Sequence, residues 1–124
     1  MPALREIALV SDDLLFQSQL SRVLVAGGGH LVRVAGEAIP GGAEAVFVDL
    51  NERSEERVAR IRSLRAERPD ATIVGFCHHG EHEVRRRAMA AGADQVLTNG
   101  GLQTGALRIT GLSSAVATNE TGDG

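Results

Sequence analysis

The chain has 124 residues, 43% of them hydrophobic and 23% charged, with a formal net charge of -3. That length buries the core of one domain and no more, and the charge offers no basic field to recruit nucleic acid or an anionic membrane. Aromatic content is 2%, with no Trp or Tyr, so the core must be aliphatic and the stacking platforms used by single-stranded nucleic acid are missing.

All 13 basic residues are arginine, so no side-chain ammonium is available to any chemistry in this chain. No apolar stretch approaches the length of a bilayer span, and the N-terminus lacks a signal-peptide layout. The single Cys77 excludes an internal disulfide and fits a reducing compartment. A cytoplasmic location is the expectation.

In chain order, Leu4 to Val10 reads as a buried strand that ends in Ser11-Asp12-Asp13. Either aspartate suits the cap of a helix whose apolar positions, Leu14, Leu15, Phe16, Leu20, Val23 and Leu24, recur at helical spacing as far as Ala26. Gly27-Gly28-Gly29 stops that helix; because the glycines follow a helix rather than a strand, they do not read as a phosphate-binding loop. Leu31 to Ala35 is a short strand, and Ala45 to Asp49 the next. Only 9 residues, Gly36 to Glu44, separate them. A parallel crossover normally takes a dozen or more, usually with a helix, so a loop or a single turn is expected here.

Ser54 opens a helix with Glu55 and Glu56 in its first turn and Val58, Ile61 and Leu64 on one side, ended by Pro69. Thr72 to Phe76 is a strand, Gly80 to Ala91 a helix closed by Gly92, and Gln95 to Thr98 a last short strand. Thr104 to Leu112 is a weaker helix, since Gly105 and Gly111 each cost about 1 kcal/mol relative to Ala. Residues 113–124 have the composition of a disordered tail after a domain at 1–112. Alternating strands and helices predict an α/β fold, a parallel sheet covered on both faces.

Asp12 and Asp13 close the first strand and Asp49 closes the third. If those strands are parallel neighbours, three carboxylates reach the sheet edge where open α/β folds place their ligands. Such a group repels itself unless a cation or a proton intervenes.

Three segments in this order, Leu9-Val10-Ser11-Asp12-Asp13, Val46-Phe47-Val48-Asp49-Leu50-Asn51 and Ala91-Gly92-Ala93-Asp94-Gln95-Val96-Leu97, resemble the receiver domain of bacterial two-component response regulators, from about Arg5 to Leu112. The resemblance implies a doubly wound, flavodoxin-like (CheY-like) sheet of five parallel strands in the order 2-1-3-4-5, with the second helix shortened or missing. It implies Asp49 as the phosphoryl acceptor. Asp12, Asp13, Asp49 and the backbone carbonyl of Asn51 would hold Mg²⁺, an ion that prefers oxygen ligands and neutralises charge during phosphoryl transfer. The partners it implies are proteins: a sensor kinase, an output protein or a second copy of the chain.

The second half departs from that pattern. The hydroxyl residue at the end of the fourth strand falls on Cys77, a weak donor; the aromatic switch residue falls on Val96; the switch lysine falls on Asn99. Without contacts that differ between two states, phosphorylation shifts no population. The chain therefore reads as an atypical receiver, or pseudo-receiver, acting through protein association and not as an enzyme.

Two competing classes fit less well. A Mg²⁺-dependent phosphohydrolase of the haloacid dehalogenase type would want an aspartate at Asn51 and a basic residue at the site. A small-molecule-binding domain of flavodoxin or cobalamin type would want a phosphate loop after the first strand or an Asp-x-His-x-x-Gly stretch. His78-His79-Gly80-Glu81-His82 does not match the zinc-protease helix and reads as a polar loop entering a helix. Arg85-Arg86-Arg87 reads as a solvated helical face.

Overall fold

The computed structural model describes residues 3–113, so the expected tail lies outside the described residues from position 114 on. Five strands form one sheet: β1 (Glu6–Val10), β2 (His30–Val34), β3 (Ala45–Asp49), β4 (Thr72–Cys77) and β5 (Gln95–Thr98). Their spatial order is β2-β1-β3-β4-β5, and every neighbouring pair is parallel. This is the order expected from the sequence. Four helices fill the connections: α1 (Leu14–Leu24), α2 (Ser54–Glu67), α3 (His82–Ala91) and α4 (Leu102–Thr110).

The continuous apolar runs of β1, β3 and β4 are what a strand buried on both faces requires. All five residues of β3 are buried. Alternation then divides the core. Ala8, Val10, Val46, Val48 and Ile73 face one way, under Val58, Ile61 and Leu64 of α2 and Ala88 and Ala91 of α3. Ile7, Leu9, Phe47, Val74 and Phe76 face the other, under Leu20 and Leu24 of α1 and Leu102 and Ala106 of α4. Each such aliphatic side chain taken out of water is worth roughly 1.5–3 kcal/mol. Phe16 and Phe76 add an edge-to-face pair with ring centroids 4.9 Å apart.

The connector from β2 to β3 contains no helix. Its backbone is satisfied locally: the Glu37 carboxylate accepts from the amides of Ala35 and Gly36 at 2.7 and 2.9 Å. Arg60 and Arg68 of the α2 region donate to the carbonyls of Glu37 and Ile39. Ile39, buried, covers part of the sheet that a helix would otherwise cover.

The starts of two helices differ from expectation. The helix expected from Gly80 begins at His82, because His78 to Glu81 close a turn in which the Glu81 amide donates to the His78 carbonyl at 3.1 Å. The last helix begins at Leu102 rather than Thr104. Gly105 lies where a Cβ would come within 2.7 Å of Leu97 Cδ1, so the glycine that weakens the helix also lets it approach β5 closely.

Candidate functional site

β1 and β3 are hydrogen-bonded neighbours with Val10 opposite Val48, so Ser11-Asp12-Asp13 and Asp49 emerge side by side at the carboxyl edge of the sheet. Ser11 is fully buried, and its hydroxyl donates to Asp49 Oδ2 at 2.7 Å while accepting from the Asp13 amide at 2.9 Å. Asp13 caps α1, its Oδ1 accepting from the Leu15 amide at 2.8 Å. Asp12 is held by arginine. Its Oδ2 lies 3.1 Å from Arg53 Nε and 3.4 Å from an Arg57 terminal nitrogen.

Asp49 is fully buried, and both of its oxygens are occupied. Oδ2 takes the Ser11 hydroxyl; Oδ1 takes the Asn51 amide and the Asn51 Nδ2, at 2.9 and 2.8 Å. The same Nδ2 donates to Asn99 Oδ1 at 2.9 Å, and Asn99 Nδ2 returns a bond to Asn51 Oδ1 at 2.8 Å. A continuous polar chain thus runs Ser11–Asp49–Asn51–Asn99. It joins β1, β3 and the turn after β5, and Asn99 enters it as a neutral amide.

The charge of this edge is balanced by arginine. Arg57, 4% exposed, donates to the Asp49 carbonyl at 2.8 Å and the Val10 carbonyl at 3.4 Å. Arg33 donates to the Ser11 carbonyl at 2.8 Å. Arg53 stands in the left-handed region at φ 53°, unusual for a side-chain-bearing residue, just before α2 begins at Ser54. Three guanidinium groups therefore stand at this edge, two of them paired with the Asp12 carboxylate. An open cavity of about 260 Å³ is lined by Asp12, Gly36, Arg53, Glu56, Arg57 and Arg60.

Mg²⁺ is the expected companion of Asp12, Asp13, Asp49 and Asn51, and the carboxylates of that set are not gathered around one point. Among the described residues no three His, Cys, Asp or Glu side chains are grouped to hold a metal ion. The physical reason is that each carboxylate has its own partner: a helix amide for Asp13, two arginines for Asp12, and a hydroxyl with an amide side chain for Asp49. The acids share a sheet edge, but their side chains do not converge on one centre.

The other singled-out residues are placed as follows. Cys77 is a buried free thiol at the end of β4. Burial pushes its pKa up from the ordinary thiol value, Arg85 pulls it down and Glu81 raises it, so the reactive thiolate is disfavoured. Val96 is half-buried, and its carbonyl accepts from Arg85 of α3 at 2.9 Å. Asn99 donates its amide to the Cys77 carbonyl at 3.0 Å. His78 and His79 stack at 4.5 Å between ring centroids on an exposed turn, and His82 opens α3. Arg86 and Arg87 both pair with Glu83 on the solvated face of α3.

Ser11 and Arg57 carry the site and were not singled out by the sequence. Arg57 did leave a signal: it falls on the stripe of Ile61 and Leu64 at i, i+4 and i+7, the buried side of α2. An arginine on an apolar stripe has a charge to satisfy inside the fold. Ser11 leaves no comparable mark.

No family model matches the sequence, and no curated protein matches it. Solved structures do resemble the fold. A CheY-like protein, tadZ, from Pseudomonas aeruginosa superposes with a TM-score of 0.73 at 19% identity, covering 86% of this chain and 98% of that one. A response regulator from Thermotoga maritima gives 0.72 at 18%, covering 87% and 98%. A response regulator from Burkholderia pseudomallei, with a phosphorylated aspartic acid, calcium ion and citrate, gives 0.70 at 19%, covering 96% and 72%. The chain has the CheY-like receiver fold. Among the described residues no helix is long and apolar enough to cross a membrane.

Proposed function

We propose that the chain is an interaction module of receiver type in two-component (phosphorelay) signalling, working by association with a protein partner and not by catalysis. The partner is a sensor kinase, an output protein or a second copy of the chain. Asp49 stands at the acceptor position of the fold but serves as a buried anchor, so association does not depend on its phosphorylation.

The observation that carries this reading is the closure of Asp49. A carboxylate attacks phosphorus with a free oxygen, in line with the leaving group and beside a cation that takes up the accumulating charge. Here three hydrogen bonds from Ser11 and Asn51 fall on its two oxygens, and the residue is fully buried. At the lysine position of the fold, Asn99 spends its side chain on Asn51. Arg85 ties α3 to β5 through the Val96 carbonyl.

The test is incubation with acetyl phosphate or phosphoramidate and Mg²⁺, followed by intact mass and by backbone amide shifts. The expected outcome is no phosphoryl adduct and no shift along β5 and α3. A stoichiometric adduct at Asp49 that moves the Val96 and Asn99 resonances would overturn the reading.

A further inference from the structure

We propose that the Arg57 guanidinium, seconded by Arg53, takes the electrostatic place of a divalent ion, so that this chain's acidic edge is neutralised from within and rejects Mg²⁺. The inference deepens the reading above and rests on it.

Arg57 reaches three oxygens: the Val10 carbonyl at 3.4 Å, the Asp49 carbonyl at 2.8 Å and Asp12 Oδ2 at 3.4 Å. Two carbonyls at strand ends and one carboxylate make an all-oxygen set of the kind a hard cation selects. Burial of this arginine at 4% exposure demands such compensation, because an unpaired buried charge is strongly unfavourable. Its place in the chain demands it as well. Arg57 belongs to the first turn of α2, where the helix dipole already presents positive charge and a cation is disfavoured.

A metal ion would meet this arrangement at several points: two arginines on Asp12 Oδ2, the Ser11 hydroxyl and the Asn51 amides on Asp49, and the Leu15 amide on Asp13 Oδ1. The incoming charge would meet a guanidinium that does not deprotonate in proteins. Neutralisation by Arg57 is therefore independent of pH and of ion supply, whereas neutralisation by a bound ion follows its concentration.

The test is Mn²⁺ titration of the full chain, read as paramagnetic broadening of backbone amides, beside thermal unfolding in Mg²⁺ and in EDTA. For the unaltered protein we expect no saturable broadening at Asp12, Asp13 and Asn51 up to about 10 mM ion, and the same Tm in Mg²⁺ and EDTA. Arg57→Met keeps the length of the stem and removes the charge. It should bind Mn²⁺ at least about tenfold more tightly and broaden those three amides first.

Saturable broadening in the unaltered chain overturns the proposal, as does a folded Arg57→Met variant that gains no affinity. If that variant does not fold, the comparison of Tm in Mg²⁺ and EDTA decides on the unaltered chain alone. Ion binding without a phosphoryl adduct defeats the arginine substitution and leaves the closed acceptor standing. An adduct formed without ion binding does the reverse.

Discussion

Replacing Asp49 by alanine separates a structural carboxylate from one held in a repelling acidic cluster, because the two give opposite signs. Hydrogen bonds to a charged acceptor contribute about 1.5–3 kcal/mol each, and a donor left buried without a partner costs about 1–3 kcal/mol. Asp49 receives three such bonds. Asn51 is exposed and its donors rehydrate, while Ser11 is fully buried and its hydroxyl is left only the long 3.5 Å contact to the Asp13 carbonyl. Relief of repulsion from Asp12 returns little, since Arg53 and Arg57 already hold that side chain.

The net expectation for Asp49→Ala is a loss of about 3 kcal/mol. For a domain of this size that is a fall in Tm of roughly 10 °C. Asp49→Asn should lose about half as much, because its carbonyl oxygen keeps the Asn51 donors and its amide can face the Ser11 oxygen. Urea and thermal unfolding of the three proteins measure this directly. An Asp49→Ala variant as stable as the parent, or more so, would show that the carboxylate is under electrostatic strain and would refute the anchor.

Further expectations concern other parts of the molecule. Arg65 donates to the carbonyls of Gly92, Pro69 and Ala71 at 3.0, 2.9 and 2.8 Å and pairs with Asp94 at 2.8 Å. Arg65→Ala should cost about 2–3 kcal/mol in urea unfolding, and Arg65→Lys should recover less than half, since an ammonium lacks the fork. Cys77 has a folded pKa raised above the ordinary value of about 9.0, so its contribution to stability is complete below that pH and is lost as pH rises beyond it. Native Cys77 should therefore resist alkylation up to about pH 9 and react only as the chain unfolds, while Cys77→Ala removes that alkaline loss. Gly92 sits at φ 125°, with a Cβ position only 2.8 Å from Arg65 Cβ, so Gly92→Ala should destabilise by about 2 kcal/mol. Gly36→Ala meets nothing within 4 Å and should be neutral or stabilising by up to about 1 kcal/mol, both read from thermal unfolding.

The strands were legible because β1, β3 and β4 are apolar runs closed by Asp, Gly or Pro-bearing turns, and the absent second helix followed from counting Gly36 to Glu44. The parallel order placed Asp12, Asp13 and Asp49 on one edge, as expected. What the sequence did not convey is direction. Whether neighbouring carboxylates converge or part depends on which donors each can reach, and those come from distant positions: Arg57 lies 47 residues after Val10, and Asn99 lies 48 after Asn51. Loss of the lysine at Asn99 was readable from composition alone. The amide pair that Asn99 forms was not, because it requires the turn after β5 to approach Asn51 side chain to side chain.

The short link between β2 and β3 also bears on how the sheet is assembled. β1 receives both strands, one on each flank, and residues 35–44 are all the chain spent on passing from one flank to the other. Closing a loop costs entropy that grows with the logarithm of its length, so each halving of a flexible connector spares about 0.6 kcal/mol. The amino-terminal three strands therefore carry a lower sequence separation between paired positions than a helix-bearing crossover allows, and their zippering is correspondingly faster. The expectation is that β1, β2 and β3 pair before β4 and β5, an order that pulsed amide exchange during refolding would read.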